Sequence, residues 1–158
     1  MVYLIVGEVD VGKTTKIKEI HRKIGRGDGV ILEKVFENGQ FVGYDAVRLK
    51  SGERRRFAVF KWMKPLGWDE VFQHGRFSFS KSGLAFAVEQ LEDAVRSAAE
   101  PIFIDELGGL ELEDKAFAHA FRLALEKGLE IYATCRTSLL QAIIKKFDLA
   151  GRCQILKV

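Results

Sequence analysis

Residues 2–15 read VYLIVGEVDVGKTT, an apolar run followed at once by two glycines, a lysine and two threonines. The run 2–6 predicts a buried strand. Beyond Gly12, isoleucines at positions 17, 20 and 24 share one face of a helix, and Gly25 is typical of a helix end. The stretch therefore predicts a strand, a tight turn and an amphipathic helix, which is how many α/β folds begin.

The turn has the spacing G-x-x-x-x-G-K-[ST], which predicts a phosphate-binding loop. Glycine lets the backbone curl with its N–H groups inward, and the helix N-terminus attracts the same anion. Lys13 would place its charge on the β and γ phosphates, and the Thr14 hydroxyl could bind Mg²⁺. The predicted nucleotide-binding residues of the loop are Gly7, Glu8, Val9, Asp10, Val11, Gly12, Lys13, Thr14 and Thr15.

A second motif places two carboxylates directly after a short apolar run at 102–104. Asp105 is the expected Mg²⁺ partner of Thr14, and Glu106 is the expected residue that orients and deprotonates an attacking water. Leu107, Gly108 and Gly109 continue the predicted nucleotide-binding segment, because two glycines permit close approach of the backbone. Glu111 is expected to be an acid at a helix N-terminus, with a catalytic role as the alternative.

A third candidate is Arg136, which follows the predicted strand 130–134. The carboxyl ends of parallel strands meet at one edge of a sheet, so Arg136 would lie on the side of the phosphate loop. It is a candidate for contact with the γ-phosphate or the base. Trp62 and Trp68 lie in an irregular segment, where core packing is the expected role and stacking on a base the alternative.

The rest of the chain alternates between strand and helix patterns, except in residues 28–82. Residues 28–62 predict an antiparallel meander of about three strands, and residues 63–82 predict mostly loop with a short strand near 76–79. The later predicted elements are a helix over 84–95 capped by Ser80 or Ser82, a strand at 102–104, a helix over 114–127, a strand at 130–134, a helix over 138–147 and a strand at 153–158. This order predicts an α/β fold of one domain, 1–158, with three layers, a mainly parallel central sheet and a β-rich insertion at about 28–82.

Composition excludes several classes of protein. The chain has 158 residues, 30% of them charged, and no apolar run approaches the roughly 18 residues that cross a bilayer. Cys135 and Cys153 have no metal-ligand spacing and are expected to stay reduced, so we expect a cytoplasmic protein without a membrane. The net charge is only +3, and nucleic acid is not the expected partner.

The two motifs together resemble those of the small P-loop nucleoside triphosphatases described from thermophiles, whose relatives include a human cancer-related nucleoside triphosphatase. The second motif of that family reads much like IDEIGxMEL, and residues 104–117 here read IDELGGLELEDKAF. Residues 29–33, 39–44 and 75–77 match the glycine-and-aromatic strands of the family more loosely. This chain has Asp10, Phe41 and Leu110 where the family usually has glycine, arginine and methionine.

The resemblance implies Mg²⁺-dependent hydrolysis of ATP, GTP, CTP and UTP to diphosphate and phosphate, with loose base preference. Lys13, Glu106 and Arg136 are the expected catalytic residues. The first alternative is a P-loop kinase that transfers the γ-phosphate to a nucleoside, nucleotide or polynucleotide, with arginines 54–56 in a lid. The second is a nucleotide-dependent switch whose meander binds a protein partner.

Overall fold

The computed structural model describes residues 1–158 as nine strands and five helices. The strands are β1 (Val2–Gly7), β2 (Asp28–Glu37), β3 (Gln40–Arg48), β4 (Arg54–Phe60), β5 (Glu70–His74), β6 (Phe77–Ser80), β7 (Ile102–Ile104), β8 (Ile131–Arg136) and β9 (Cys153–Lys157). The helices are α1 (Lys13–Ile24), α2 (Lys81–Arg96), α3 (Gly109–Leu112), α4 (Ala118–Glu126) and α5 (Leu140–Lys146). No helix is both long and apolar enough to cross a membrane.

All nine strands form one sheet in the order β5-β6-β4-β3-β2-β7-β8-β1-β9. From β2 to β9 neighbouring strands are parallel, and from β2 to β5 they are antiparallel. The α/β class, the parallel core and the antiparallel meander are therefore confirmed. The β-rich segment extends the central sheet rather than forming a layer of its own, because β2 pairs with β3 on one side and with β7 on the other.

Helices cover both faces of the sheet, which gives the expected three layers. One face carries α1, whose Ile17 packs with Ile5, Ile31, Val47 and Phe103 in a small apolar cluster. The other face carries α2, α4 and α5 over a cluster of 27 buried residues that extends from β1 to β6. Most of the core therefore lies on the α2 side, where it joins the two halves of the sheet.

Two sequence predictions were wrong in part. The helix predicted at 114–127 begins only at Ala118, because Asp114 and Ala116 have positive φ angles of 60° and 51°, which a helix cannot contain. The segment 63–82, predicted as mostly loop, contains the hairpin of β5 and β6. β5 lies at the sheet edge with mostly exposed side chains, so it lacks the apolar alternation that identifies a strand.

The parallel strands bring their carboxyl ends to one edge of the sheet. β1 ends at Gly7 opposite Arg136 of β8, and Ile104 of β7 is opposite Ala133 of the same strand. The phosphate loop, Asp105, Glu106 and Arg136 therefore all follow strands that end at this edge. The predicted cap of α2 is confirmed as Ser80, whose Oγ accepts a hydrogen bond of 3.0 Å from the Gly83 N–H.

Candidate active site

The phosphate loop occupies the turn between β1 and α1, as the sequence predicts. Gly12 has φ of 94°, a conformation that favours glycine, and a Cβ on Gly7 would lie 2.7 Å from Val11 Cγ2, so that side chain would have to move. The N–H groups of residues 8–12 donate to no backbone carbonyl. A curled loop of unpaired amides before a helix N-terminus is the arrangement that binds phosphate.

Lys13 lies at the start of α1 and folds back over the loop. Its Nζ donates a hydrogen bond of 3.0 Å to the Gly7 carbonyl and a second one to the Glu8 carbonyl. The ammonium group is thereby held at the mouth of the loop. It is in position to contact an anion bound by the loop amides.

Thr14 and Asp105, predicted from separate motifs, are in direct contact. Thr14 Oγ1 donates to Asp105 Oδ2 at 2.7 Å, the Thr134 hydroxyl donates to Oδ1 at 2.7 Å, and the Leu32 N–H donates to Oδ2 at 3.1 Å. Asp105 is only 4% exposed. Burial raises the pKa of Asp105, and these hydrogen bonds oppose that shift.

The oxygens of Thr14 and Asp105 are the kind of hard ligand that Mg²⁺ prefers. No group of three or more His, Cys, Asp or Glu side chains converges into a metal site made by protein alone. A hydroxyl and one carboxylate suit Mg²⁺, which usually takes one or two protein ligands and completes its shell with phosphate oxygens and water. The residues present therefore fit this ion.

Glu106 and Arg136 form an ion pair beside this group, with Arg136 Nε 3.4 Å from Glu106 Oε1. Burial raises the pKa of Glu106, and the guanidinium of Arg136 counteracts the shift. The pair links the ends of β7 and β8. A carboxylate and a cation thus lie together next to the lysine and the hydroxyl of the loop.

These groups line a cavity of about 420 Å³. Of the predicted site residues, the cavity wall contains Val9, Asp10, Gly12, Lys13, Thr14, Thr15, Asp105, Glu106 and Arg136. The other predicted residues lie outside the wall. Gly7, Glu8 and Val11 belong to the loop, and the Leu107 N–H donates to the Thr134 carbonyl at 2.8 Å. Gly108 and Gly109 line a second cavity, described below.

Asp10 lies on the wall of the cavity with its carboxylate in an ion pair with Lys34. Its φ of 61° is the left-handed conformation that glycine adopts most easily. The negative charge at this position is therefore partly neutralised by the neighbouring strand β2. The Asp10 carboxylate nevertheless stays on the wall of the cavity, beside the loop that would bind phosphate.

Several residues of the cavity were not predicted. Lys18, Leu32, Glu33, Lys34 and Tyr44 line it as well, and burial raises the pKa of Tyr44 to about 12. Four of them lie on β2 and β3, and nothing in the sequence shows that β2 pairs with β7 beside Asp105. Thr134, whose hydroxyl donates to Asp105, could have been predicted as a site residue, because it lies near the end of a predicted parallel strand.

Two other expectations change. The basic cluster at 54–56 does not line the cavity: Arg54 and Arg56 on β4 bond to Asp45 at 3.0 and 2.7 Å. The arginines that the kinase alternative placed in a lid therefore lie outside this cavity. Trp62 is 64% exposed and stacks on Phe60, so core packing is not its role.

Comparison with known proteins gives a consistent result. A family model described as NTPase matches residues 2–158. The nucleoside-triphosphatase THEP1 of Archaeoglobus fulgidus is 29% identical over 116 residues, which cover 72% of this chain and 64% of that protein, just under two thirds of its length. THEP1 of Thermotoga sp. strain RQ2 is 28% identical over 139 residues, or 87% of this chain and 75% of the relative.

Two solved structures have the same fold. THEP1 from the hyperthermophile Aquifex aeolicus superposes with a TM-score of 0.75 at 24% identity, over 99% of this chain and 89% of that one. The solution structure of a human cancer-related nucleoside triphosphatase gives a TM-score of 0.70 at 26% identity, over 99% and 87%. With a family model that spans nearly the whole sequence and a site that contains its expected phosphate loop, the chain belongs to the NTPase family.

Proposed function

We propose that this chain hydrolyses nucleoside triphosphates to diphosphate and phosphate, with Mg²⁺ bound by Thr14 and Asp105. The observation that carries the proposal is the hydrogen bond of 2.7 Å between the Thr14 hydroxyl and the Asp105 carboxylate, in a cavity that also contains Lys13 and Glu106. The names of the relatives, which are nucleoside-triphosphatases, support the same reaction.

Each residue has a defined role in this proposal. The loop amides and the Nζ of Lys13 bind the β and γ phosphates and stabilise the charge that develops during the reaction. Glu106 orients a water molecule and accepts its proton as the water oxygen bonds to the γ-phosphorus and the bond to the β-bridging oxygen breaks. Arg136, 3.4 Å from Glu106, holds that carboxylate and adds positive charge at the γ-phosphate. A bound Mg²⁺ would neutralise phosphate charge and polarise the phosphoryl group.

We further propose that ATP, GTP, CTP and UTP are all substrates. The wall of the cavity is mostly charged and hydroxyl side chains, which suit the triphosphate that these nucleotides share. The protein would work in the cytoplasm, where thiols stay reduced. Its two cysteines are free, and burial raises the pKa of Cys135 to about 12, which disfavours the thiolate form.

The test is phosphate release from each of the four nucleotides, with and without Mg²⁺, for the wild type and Glu106→Gln. We expect the variant to lose about a hundredfold or more in kcat while its affinity for nucleotide stays within a few-fold, because it removes a group needed only during the reaction. The matched control is Glu126→Gln, an exposed carboxylate at the end of α4.

Wild-type hydrolysis of several nucleotides, retained by Glu126→Gln, would support the proposal. Full activity in Glu106→Gln would contradict the role of this carboxylate. Tight nucleotide binding by the wild type without any phosphate release would contradict hydrolysis as the function.

A further inference from the structure

A second cavity of about 430 Å³ lies beside the first on the α2 face of the sheet. Its floor is the sheet, with Tyr44 of β3, Ala58 of β4, and Phe77 and Phe79 of β6. The opposite wall is the segment between β7 and α4, which includes Phe117. Its size and its mostly apolar lining are typical of a site for a small molecule.

The two cavities meet at the ion pair of Glu106 and Arg136, which lines both of them. Val9, Leu32 and Tyr44 are also shared. In the proposed function Glu106 faces the γ-phosphate, so a molecule in the second cavity would approach the nucleotide from its γ end. This placement rests on the proposed function.

Aromatic rings form part of the wall of the second cavity, from Tyr44, Phe57, Phe77, Phe79 and Phe117. The rings of Tyr44 and Phe77 lie 5.4 Å apart, and those of Phe57 and Phe117 are stacked at 6.2 Å with an interplanar angle of 8°. Tyr44 and Phe77 are half-buried and line the cavity, whereas Phe57 and Phe117 are almost fully buried. Aromatic walls of this kind bind planar rings by stacking and edge contacts.

Polar groups lie at the rim. Arg76 forms no ion pair in the structure, and its guanidinium lies over the Phe60 ring at 5.6 Å. His74, at the end of β5, lies so close to Gly109 that an added Cβ on Gly109 would be 2.8 Å from the His74 Nε2. An arginine and an imidazole can hydrogen-bond the hydroxyls of a sugar or the polar edge of a heterocycle.

We propose that the second cavity binds a nucleoside, with its base between the aromatic walls and a ribose hydroxyl at Glu106. That hydroxyl oxygen then takes the place of water and bonds to the γ-phosphorus. The bond from the γ-phosphorus to the β-bridging oxygen breaks, the hydroxyl proton passes to Glu106, and nucleoside diphosphate leaves. The products are a nucleoside monophosphate and a nucleoside diphosphate.

The test incubates the wild type with ATP labelled in the γ-phosphate and with adenosine, guanosine, cytidine or uridine. Labelled phosphate and labelled nucleoside monophosphate are then separated. Arg76→Ala is the main variant, and Arg55→Ala is its matched control, because Arg55 also stacks on a phenylalanine ring, at 5.4 Å from Phe86, but outside both cavities. Ala58→Phe, which fills the second cavity, is a further variant.

We expect labelled nucleoside monophosphate with at least one nucleoside, a loss of about tenfold or more in Arg76→Ala, and no loss in Arg55→Ala. Release of phosphate to water should stay within about twofold of the wild type in both variants, since Arg76 does not line the first cavity. Ala58→Phe, if folded, should likewise abolish transfer and retain hydrolysis.

Equilibrium dialysis of the four radiolabelled nucleosides against the wild type with a bound non-hydrolysable ATP analogue measures binding without turnover. If the wild type hydrolyses ATP but no nucleoside binds in the dialysis, the second site is overturned. If a nucleoside binds but is not phosphorylated, its role as the phosphate acceptor is overturned. Absence of both hydrolysis and transfer would instead contradict the proposed function of the first cavity.

Discussion

At the scale of single residues, the site depends on a carboxylate that is more restrained than an exposed acid would be. Asp105 accepts hydrogen bonds from Thr14, Thr134 and the Leu32 N–H, which come from three different elements. Its position therefore depends on α1, β8 and β2 at once. Glu106, next in sequence, has only Arg136 as a close partner and remains open to both cavities. One carboxylate is held for binding and its neighbour is available for chemistry.

The Asp10→Gly variant should bind nucleoside triphosphates more tightly than the wild type. The substitution removes a negative charge from the cavity wall, releases Lys34 and suits a φ of 61°. Charge interactions at exposed positions contribute up to about 1 kcal/mol, so we expect a gain of about two- to fivefold in affinity, smaller at high salt.

The measurement is nucleotide affinity at low and high ionic strength. Asp148→Gly is the matched control, because Asp148 is also exposed and has φ of 52° but lies outside both cavities. Equal affinities for the wild type and Asp10→Gly would show that the Asp10 carboxylate does not act on the bound phosphates.

At the scale of elements, the segment between β7 and α4 is organised by one buried side chain. Glu111 is 4% exposed, and its two carboxylate oxygens accept from the Gly108 N–H at 2.8 Å and the Phe117 N–H at 3.1 Å. The same side chain thus caps α3 and fixes the approach to α4. This structural role agrees with the expectation of an acid at a helix N-terminus, and it supports the loop that follows Glu106.

Glu111 should make stability fall as the pH rises from about 5 to about 8. Burial raises the pKa of Glu111 from 4.5 to about 7, and the two N–H donors only reduce that shift. The folded state therefore binds a proton that the unfolded chain has lost, and this stability is present at low pH and disappears as the pH passes 7. The shift corresponds to about 3 kcal/mol of unfolding free energy.

The comparison is urea unfolding of the wild type and Glu111→Gln at several pH values in this range. All other side chains are the same in both proteins, so the difference between the two curves reports Glu111. A difference that does not change with pH would contradict a raised pKa for this side chain.

The sequence predicts the site better than it predicts the middle of the chain, for a physical reason. The loop at 7–15 and the acids at 105–106 are local motifs, and parallel strands bring their ends together by rule. The lining residues on β2 and β3 depend on which strand pairs with β7, and this is a long-range choice. Helix α4 begins late because Asp114 and Ala116 adopt positive φ, which apolar spacing does not reveal.

At the scale of the whole molecule, the parallel and antiparallel halves share one sheet and one main core. β2 belongs to both halves, and α2 packs on strands from each of them. Gly83 of α2 lies so close to β4 that a Cβ there would be 2.0 Å from the Arg56 carbonyl oxygen. We therefore propose that residues 1–158 unfold as one cooperative unit.

Urea unfolding should give the same midpoint by tryptophan fluorescence and by far-ultraviolet circular dichroism. Trp62 and Trp68 both lie in the antiparallel half, whereas α1, α4 and α5 lie on the parallel half. Gly83→Ala should lower the free energy of unfolding by up to about 3 kcal/mol and move both midpoints together to lower urea, since the contact joins α2 to the sheet. Glu89→Ala, at an exposed position of the same helix, is the control. A fluorescence transition at lower urea than the dichroism transition would contradict a single unit.

The central claim is that water attacks the γ-phosphorus beside Lys13, Thr14, Asp105 and Glu106. The most direct measurement is hydrolysis of ATP with Mg²⁺ in water enriched in ¹⁸O, followed by phosphorus NMR of the products. We predict one ¹⁸O atom in the released phosphate, none in the ADP, and loss of the labelled phosphate in Glu106→Gln. Label in the ADP, or wild-type protein that binds ATP and releases no labelled phosphate, would contradict the account.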